Sequence, residues 1–200
     1  MKYFFNNNLI KLKRVAIFAS GTGSNAKKIV EHFQGHPDIE ISLVVSNNQD
    51  AKVLDMAHKY NIPTLVVNKS LLSTSDYILE KFSIFPINFI VLAGFLLLIP
   101  KYLVDKFPNR IVNIHPALLP KFGGKGMYGM NVHKAVKESG EKESGITIHY
   151  VNEKYDEGST ILQASCPVLA EDSPEDIAKN VLRLEHEHFA MTIERVLNSY

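Results

Sequence analysis

The sequence predicts an α/β fold, in which helices cover both faces of a doubly wound, mostly parallel sheet. Along the first 113 residues, short apolar segments alternate with segments of helical periodicity, which is typical of parallel strands joined by helices. Two strand-like segments then follow each other across seven residues, a connection short enough for an antiparallel pair. A capped amphipathic segment closes the chain. We therefore expect a Rossmann-like sheet with an antiparallel C-terminal extension and a long C-terminal helix.

The strands of the parallel part are short apolar runs bounded by turn residues, a pattern that indicates burial on both faces. They are expected at residues 15–19, 39–45, 64–67, 89–93 and 111–112. The helices between them repeat apolar residues every three or four positions. They are expected at residues 26–33, 51–60, 76–82 and 102–107, with Ser75 as a cap.

The C-terminal part begins with an irregular segment rich in Gly and Pro, from His115 to Met130. A helix over 132–137, strands over 145–151 and 159–169, and a final helix that reaches Leu197 are expected to follow it. Ser173 caps the final helix, with a proline and two acidic residues in its first turn. We expect residues 14–200 to form one domain and residues 1–13 to be a tail.

The composition is that of an ordinary soluble globular protein, with 200 residues, 46% of them hydrophobic and 22% charged. A net charge of +1 gives no field that would recruit nucleic acid or an anionic membrane. The apolar run over 89–100 is too short to span a bilayer, and Lys2 precedes only three aromatic residues, far short of a secretory signal. A single cysteine, Cys166, excludes an internal disulfide and a multi-thiolate metal site.

From these observations we expect a cytoplasmic protein that acts on small molecules, with no nucleic-acid or membrane partner. The spacing of its histidines and carboxylates suits no metal ion, so we expect no metal. The sequence leaves open whether the protein is a monomer or a homodimer.

A glycine-rich loop, Ser20 to Asn25, lies between the first predicted strand and the first helix. Glycines allow close approach of a ligand, and the free amides at a helix start favour an anion. The dinucleotide fingerprint fits only in part, because Ala26 takes the third glycine position and Ser46-Asn47-Asn48 stands where an acidic residue is expected after the second strand. We expect a site for a smaller phosphate compound; a strand-to-helix turn without a ligand is the alternative.

A second candidate group combines Asn113, His115 and Asp156. Asn113 and His115 are two residues apart, so both side chains project from one face where the fifth strand ends. An amide and an imidazole there could polarise a carbonyl and deliver a proton. Asp156, in the turn between the two late strands, is a candidate to favour a charged histidine. A polar hairpin turn is the alternative for that segment.

Six segments, taken together and in this order, resemble the folate-dependent formyltransferases. They are Ser-Gly-Thr-Gly-Ser-Asn (20–25), Val-Leu-Ala-Gly-Phe (91–95), Asn-Ile-His-Pro-Ala-Leu-Leu-Pro (113–120), Gly-Ile-Thr-Ile-His (145–149), Tyr-Asp-Glu-Gly (155–158) and Leu-Gln-Ala (162–164). The likeness extends from Arg14 to Leu197 and is strongest for the members that act on glycinamide ribonucleotide. It implies transfer of the formyl group of 10-formyltetrahydrofolate to the amine of 5-phosphoribosylglycinamide, a step of purine (IMP) synthesis.

The resemblance also implies roles for particular residues. It implies catalysis by Asn113, His115 and Asp156. It implies binding of the ribonucleotide phosphate by Gly23, Ser24 and Asn25, and of its ribose by Glu185. It implies contact with the folate by Leu96, Leu97, Leu98, Ile99, Asn113 and Val151. The chain departs from the common pattern in three places: Leu96-Leu97 replaces a frequent Met-Arg pair, the segment over 70–85 is shortened and lacks a clear folate-binding arginine, and the loop over 122–130 is longer.

Two other classes of protein remain possible from the sequence. A nucleotide-binding module without catalysis needs the glycine loop but not the three candidate catalytic residues. A formyl-folate hydrolase, or a formyltransferase with another acceptor, keeps those three residues. The hydrolases add an N-terminal regulatory domain and the methionyl-tRNA formyltransferases a further C-terminal domain, while the sugar-nucleotide enzymes are usually longer. We expect none of these additions in this chain.

Overall fold

The computed structural model describes residues 12–200, which form seven strands and seven helices. The strands are β1 (Lys13–Phe18), β2 (Ile39–Ser46), β3 (Thr64–Val66), β4 (Phe89–Leu92), β5 (Ile111–His115), β6 (Glu143–Tyr150) and β7 (Thr160–Pro167). The helices are α1 (Ser24–Phe33), α2 (Lys52–Lys59), α3 (Lys69–Ser73), α4 (Ser75–Ile84), α5 (Lys101–Lys106), α6 (Met130–Ser139) and α7 (Pro174–Asn198).

All seven strands belong to one sheet, in the order β3-β2-β1-β4-β5-β6-β7. The pairs from β3 to β5 are parallel, whereas β5–β6 and β6–β7 are antiparallel. The predicted fold class is therefore confirmed. Because β1, β4 and β5 are neighbours that run in one direction, the loops that follow their carboxyl ends meet at one edge, where open α/β sheets bind ligands.

Strand β1 shows how the core is divided between the two faces of the sheet. Val15 and Ile17 belong to the cluster covered by α1, α2, α6 and α7. Ala16 and Phe18 belong to the opposite cluster, which includes apolar residues of α3, α4 and α5. All four side chains are fully buried, as the continuous apolar run predicts for a strand covered on both faces.

Some element boundaries differ from those expected. Helix α3 was not predicted: it has only five residues, too few to show a helical period, and the Asn68 side chain caps it by accepting from the Leu71 N–H at 2.9 Å. Thr74, rather than the expected Ser75, is the cap residue of α4. Strand β5 continues to His115, beyond the expected end at residue 112. Strand β1 begins at Lys13, the last residue of the expected tail, and not at residue 15. Residues 1–11 of the expected tail lie outside the described residues.

The predicted start of α7 is confirmed in atomic detail. The Ser173 hydroxyl accepts from the Asp176 N–H at 3.1 Å, and the Asp176 carboxylate accepts from the Ser173 N–H at 3.1 Å. This reciprocal capping box satisfies two amides that the helix leaves free. Helix α7 then packs against α1, α6 and β6, which brings its middle turns to the ligand-binding edge. No helix within residues 12–200 is long and apolar enough to cross a membrane.

Replacing Gly145 of β6 with alanine should strongly destabilise the fold. A Cβ atom there would lie 2.1 Å from the main-chain oxygen of Ala164 on β7 and 2.8 Å from Cδ2 of Leu118. Because the first clash is with main chain, the strands would have to separate, at a cost of about 2 kcal/mol or more. Urea unfolding measures the loss. Gly21→Ala is the control, since a Cβ at Gly21 meets nothing within 4 Å; equal stability of the two variants would contradict the prediction.

Candidate active site

A cavity of about 770 Å³ opens at the carboxyl ends of β1, β4 and β5. Its walls come from the loop before α1, the segment after β4, the end of β5, the loop before α6, the β6–β7 connection and α7. Every residue predicted for the site borders this cavity: Gly23, Ser24, Asn25, Leu96, Leu97, Leu98, Ile99, Asn113, His115, Val151, Asp156 and Glu185. The fold therefore brings all of them together, while their individual roles stay predictions.

Among the three candidate catalytic side chains, Asp156 lies within contact distance of both Asn113 and His115. The Asp156 Oδ2 atom is 3.5 Å from His115 Nδ1, and its Oδ1 atom accepts from the Asn113 amide at 3.5 Å. Asn113 and His115 project from one face of β5, while the buried Val112 and Ile114 alternate with them. An amide, an imidazole and a carboxylate therefore surround one end of the cavity.

The Asp156 carboxylate is held in its ionised form. Burial by itself would raise its pKa, but the neighbouring His149 and His115 rings and the Gly124 N–H outweigh burial, so the pKa lies below its usual value. The Gly124 N–H donates to Oδ2 at 2.9 Å. Asp156 adopts a left-handed backbone conformation, with φ of 56°, which returns its side chain from the β6–β7 connection toward β5.

His115 is 3% exposed, and both of its ring nitrogens face an oxygen atom. Its Nδ1 atom faces Asp156, and its Nε2 atom lies 2.7 Å from the Phe122 carbonyl oxygen. Burial lowers the pKa of His115 more than Asp156 and the Phe122 carbonyl raise it. Asp156 thus acts in the direction expected of it, toward a charged histidine, while burial acts against it and is the larger effect.

His149 is a fourth member of this cluster that sequence reasoning did not assign. It lies opposite Asn113 in the β5–β6 ladder and is 2% exposed. Its Nδ1–H donates to the Tyr150 carbonyl at 2.8 Å, and its Nε2 atom lies 3.1 Å from the Asn113 amide nitrogen and 3.7 Å from Asp156 Oδ1. The His149 ring therefore contacts both the Asn113 amide and the Asp156 carboxylate. Only the register between β5 and β6 places His149 opposite Asn113, and no sequence motif predicts that register.

The opposite end of the cavity is formed by the start of α1 and the middle of α7. Gly23 precedes α1 with φ of 75°, and the first amides of the helix are free there. The Asn25 side-chain N–H donates to Glu185 Oε2 at 2.6 Å, which joins the two helices. Burial raises the pKa of Glu185, and the hydrogen bond from Asn25 offsets only part of the effect. This end combines anion-binding amides with a carboxylate acceptor.

A further side of the cavity, formed by residues 96–99 and Val151, is apolar and is called the apolar wall below. Leu96 and Leu98 are 49% and 42% exposed, whereas Ile99 is buried. The Leu96 N–H donates to the Ser20 hydroxyl at 2.9 Å, so this wall is attached to the glycine-rich loop. Val151 borders the cavity from the end of β6. Such a surface suits a flat or aromatic ligand group that loses water on binding.

Two remaining observations concern metal and thiol chemistry. Within residues 12–200 no three His, Cys, Asp or Glu side chains are arranged to hold a metal ion. Cys166 lies on β7 and does not border the cavity, and burial raises the pKa of its thiol, so the thiolate is disfavoured.

A family model, related sequences and solved structures all identify the same family for this chain. The family described as formyl transferase matches residues 13–193. "Phosphoribosylglycinamide formyltransferase, chloroplastic" of Arabidopsis thaliana is 45% identical over 187 residues, which cover 90% of this chain and 64% of the relative. This chain thus spans a little under two thirds of the length of that plant relative.

Two solved structures are similar in fold as well as in sequence. Phosphoribosylglycinamide formyltransferase of Anaplasma phagocytophilum superposes with a TM-score of 0.81 at 35% identity, over 90% of this chain and 84% of that one. Glycinamide ribonucleotide transformylase 1 of Geobacillus kaustophilus superposes with a TM-score of 0.84 at 31% identity, over 93% and 99%. With the family model matching almost its full length, the chain belongs to the formyl transferase family.

Proposed function

We propose that this protein transfers the formyl group of 10-formyltetrahydrofolate to the amine of 5-phosphoribosylglycinamide. The products are formylglycinamide ribonucleotide and tetrahydrofolate, in de novo purine synthesis. The observation that carries the proposal is the convergence of Asn113, His115 and Asp156 between an anion-binding helix start and an apolar wall in one cavity. The names of the plant and bacterial relatives support the same formyl transfer to this ribonucleotide.

The ribonucleotide fits the end of the cavity at α1 and α7. Its phosphate would accept hydrogen bonds from the free amides of Gly23, Ser24 and Asn25, and the positive end of the helix favours its charge. The Glu185 carboxylate would accept from the ribose hydroxyls while Asn25 holds it in place. The substrate amine would then point toward Asp156.

The folate co-substrate fits the apolar side. A cavity of about 770 Å³ is within the range that holds a cofactor-sized ligand together with a small second substrate. Leu96 to Ile99 and Val151 would cover its ring system, and 10-formyltetrahydrofolate supplies a formyl carbon on a nitrogen that can leave as an amine. No metal ion is required in this proposal.

In the proposed mechanism, the amine of the ribonucleotide forms a bond to the formyl carbon and the folate nitrogen departs. The Asn113 N–H that lies 3.5 Å from Asp156 Oδ1 would turn to the formyl oxygen as negative charge develops on it. His115 would provide a second donor beside it, in exchange for its contact with the Phe122 carbonyl. The His115–Asp156 pair accepts the proton that the amine loses and returns it to the departing nitrogen. His149, whose Nε2 atom lies 3.1 Å from the Asn113 amide nitrogen, would keep that amide in place.

The cellular location and the assembly state also stay predictions. We propose a cytoplasmic enzyme that acts as a monomer or homodimer on small molecules, without a nucleic-acid partner. The balanced charge of the chain supports the last point. The plant relative carries the word chloroplastic in its name, so related proteins occupy at least one other compartment.

The proposed reaction predicts that tetrahydrofolate appears only when both substrates are present. Purified protein is mixed with 10-formyltetrahydrofolate, with and without 5-phosphoribosylglycinamide, and the folate absorbance is followed. Release that depends on the ribonucleotide supports the transferase. Release of tetrahydrofolate and formate without it would identify a hydrolase, and no release under either condition would support a binding module without catalysis.

Substitution of any of the three catalytic candidates should lower kcat far more than it changes stability. Asn113→Ala removes a donor to the oxyanion, and such losses typically reduce turnover by about 10²–10³. His115→Ala and Asp156→Asn interrupt proton transfer and should cost at least as much. Steady-state turnover and thermal unfolding measure the two effects. His58→Ala, on α2 and outside the cavity, is the control; a His115→Ala enzyme as active as His58→Ala would rule out the mechanism.

Gly23→Ala should weaken phosphate binding. Its Cβ atom would lie 2.6 Å from Val53 Cγ2, so the loop that presents the amides must shift. Gly35→Ala is a matched control, because Gly35 has the same φ of 75° but an added Cβ meets nothing within 4 Å and Gly35 does not border the cavity. Calorimetry with inorganic phosphate compares the two. Equal affinity would exclude this loop as the phosphate site.

A further inference from the structure

His133 is a buried polar residue that the proposed mechanism does not use. It lies on α6, is 6% exposed and borders the cavity. Its Nδ1 atom is fully buried and has no hydrogen-bond partner within residues 12–200. Burying such an atom without a partner is unfavourable, so an unpaired nitrogen at a cavity wall points to a partner that arrives with a ligand.

The packing of α6 indicates which substrate this partner belongs to. Val136 of α6 belongs to the same buried cluster as α1 and α7, the helices that carry the glycine-rich loop and Glu185. Ile99 of the apolar wall belongs to the cluster on the opposite face of the sheet. His133 therefore borders the cavity from the side of the phosphate-binding helix start and Glu185, away from the wall that suits the folate.

His133 borders the same cavity as His115 of the candidate catalytic group. Burial lowers the pKa of His133, and a positive charge on His115 would lower it further. A neutral imidazole carries one donor and one acceptor, so it can bond either to a hydroxyl or to an amide group.

We propose that His133 is a ribonucleotide-binding residue, whose imidazole hydrogen-bonds to a hydroxyl or amide group of the substrate between its phosphate and its reacting amine. The inference rests on the proposed function for the identity of that substrate. The hydrogen bond would form only with the ribonucleotide and not with inorganic phosphate or folate. His133 thus contributes to the choice of acceptor and to the alignment of its amine.

A second histidine of the same kind provides a matched control. His186 on α7 also has a buried ring nitrogen, Nε2, without a partner within the described part of the chain, and burial lowers its pKa. It is adjacent to Glu185 in sequence but does not border the cavity. A histidine that matters only for packing or for helix stability should behave like His186.

The test measures binding and turnover in four proteins: wild type, His133→Phe, His133→Gln and His186→Phe. Phenylalanine keeps the ring but has no nitrogen, so His133→Phe should raise the Kd and KM for the ribonucleotide roughly tenfold, the effect of one lost hydrogen bond. Its affinity for inorganic phosphate and its KM for the folate should not change. Its melting temperature should stay equal or rise, because an unpaired buried nitrogen is removed. His133→Gln, which restores a donor and an acceptor, should recover part of the affinity.

The outcomes separate this inference from the proposed function. If the wild-type enzyme transfers formyl groups and His133→Phe has a ribonucleotide Kd within twofold of the wild-type value, the inference alone is overturned. An equal loss in His186→Phe, or a loss accompanied by a lower melting temperature and weaker phosphate binding, also overturns it, because it indicates a structural role. If the wild type transfers no formyl group but binds ribose 5-phosphate, and His133→Phe loses that affinity, the proposed function is overturned and the inference is kept. A wild type that binds neither compound overturns both.

Discussion

The arrangement of the proposed catalytic end depends on one carboxylate, that of Asp156, whose side chain is 11% exposed. Asp156 faces His115 from β5, His149 from β6 and the Gly124 N–H from the loop before α6. A carboxylate removed from water is costly unless charges and donors replace its hydration, and these three groups do so from three separate segments. Because these groups outweigh the effect of burial, the pKa of Asp156 lies below its usual value. Loss of the carboxylate would therefore remove the acceptor of the Gly124 N–H as well as one member of the proposed proton-transfer pair.

The change from parallel to antiparallel pairing at β5 makes this convergence possible. Parallel strands bring only their carboxyl ends to the ligand-binding edge, and each contributes one loop. Strand β6 runs the other way, so it places His149 beside Asn113 in the middle of the ladder, and the chain that follows it returns Asp156 to β5. The parallel half provides the proposed anion site and the apolar wall, and the antiparallel half completes the group proposed for proton transfer.

The sequence predicts the fold because its signals are local: β1 is a continuous apolar run, and the box at Ser173 marks the start of α7. It predicts the candidate residues through their motifs, but not the interactions between them. The contact of Asn113 with His149 depends on a register across 36 positions, and the pKa of His115 depends on burial that no motif records. The five-residue helix α3 could not be predicted, because a helix of little more than one turn has no apolar period to detect.

The unpaired polar atoms of the cavity indicate how stability is distributed in this fold. Asn25 Oδ1 and His133 Nδ1 are buried without partners within residues 12–200, and both residues border the cavity. Each such atom costs about 1–3 kcal/mol, a large fraction of the 5–15 kcal/mol by which a domain is usually stable. The two apolar clusters on either side of the sheet offset that cost. A ligand that satisfies these atoms regains part of it, so binding and folding stability are coupled through the same few polar groups.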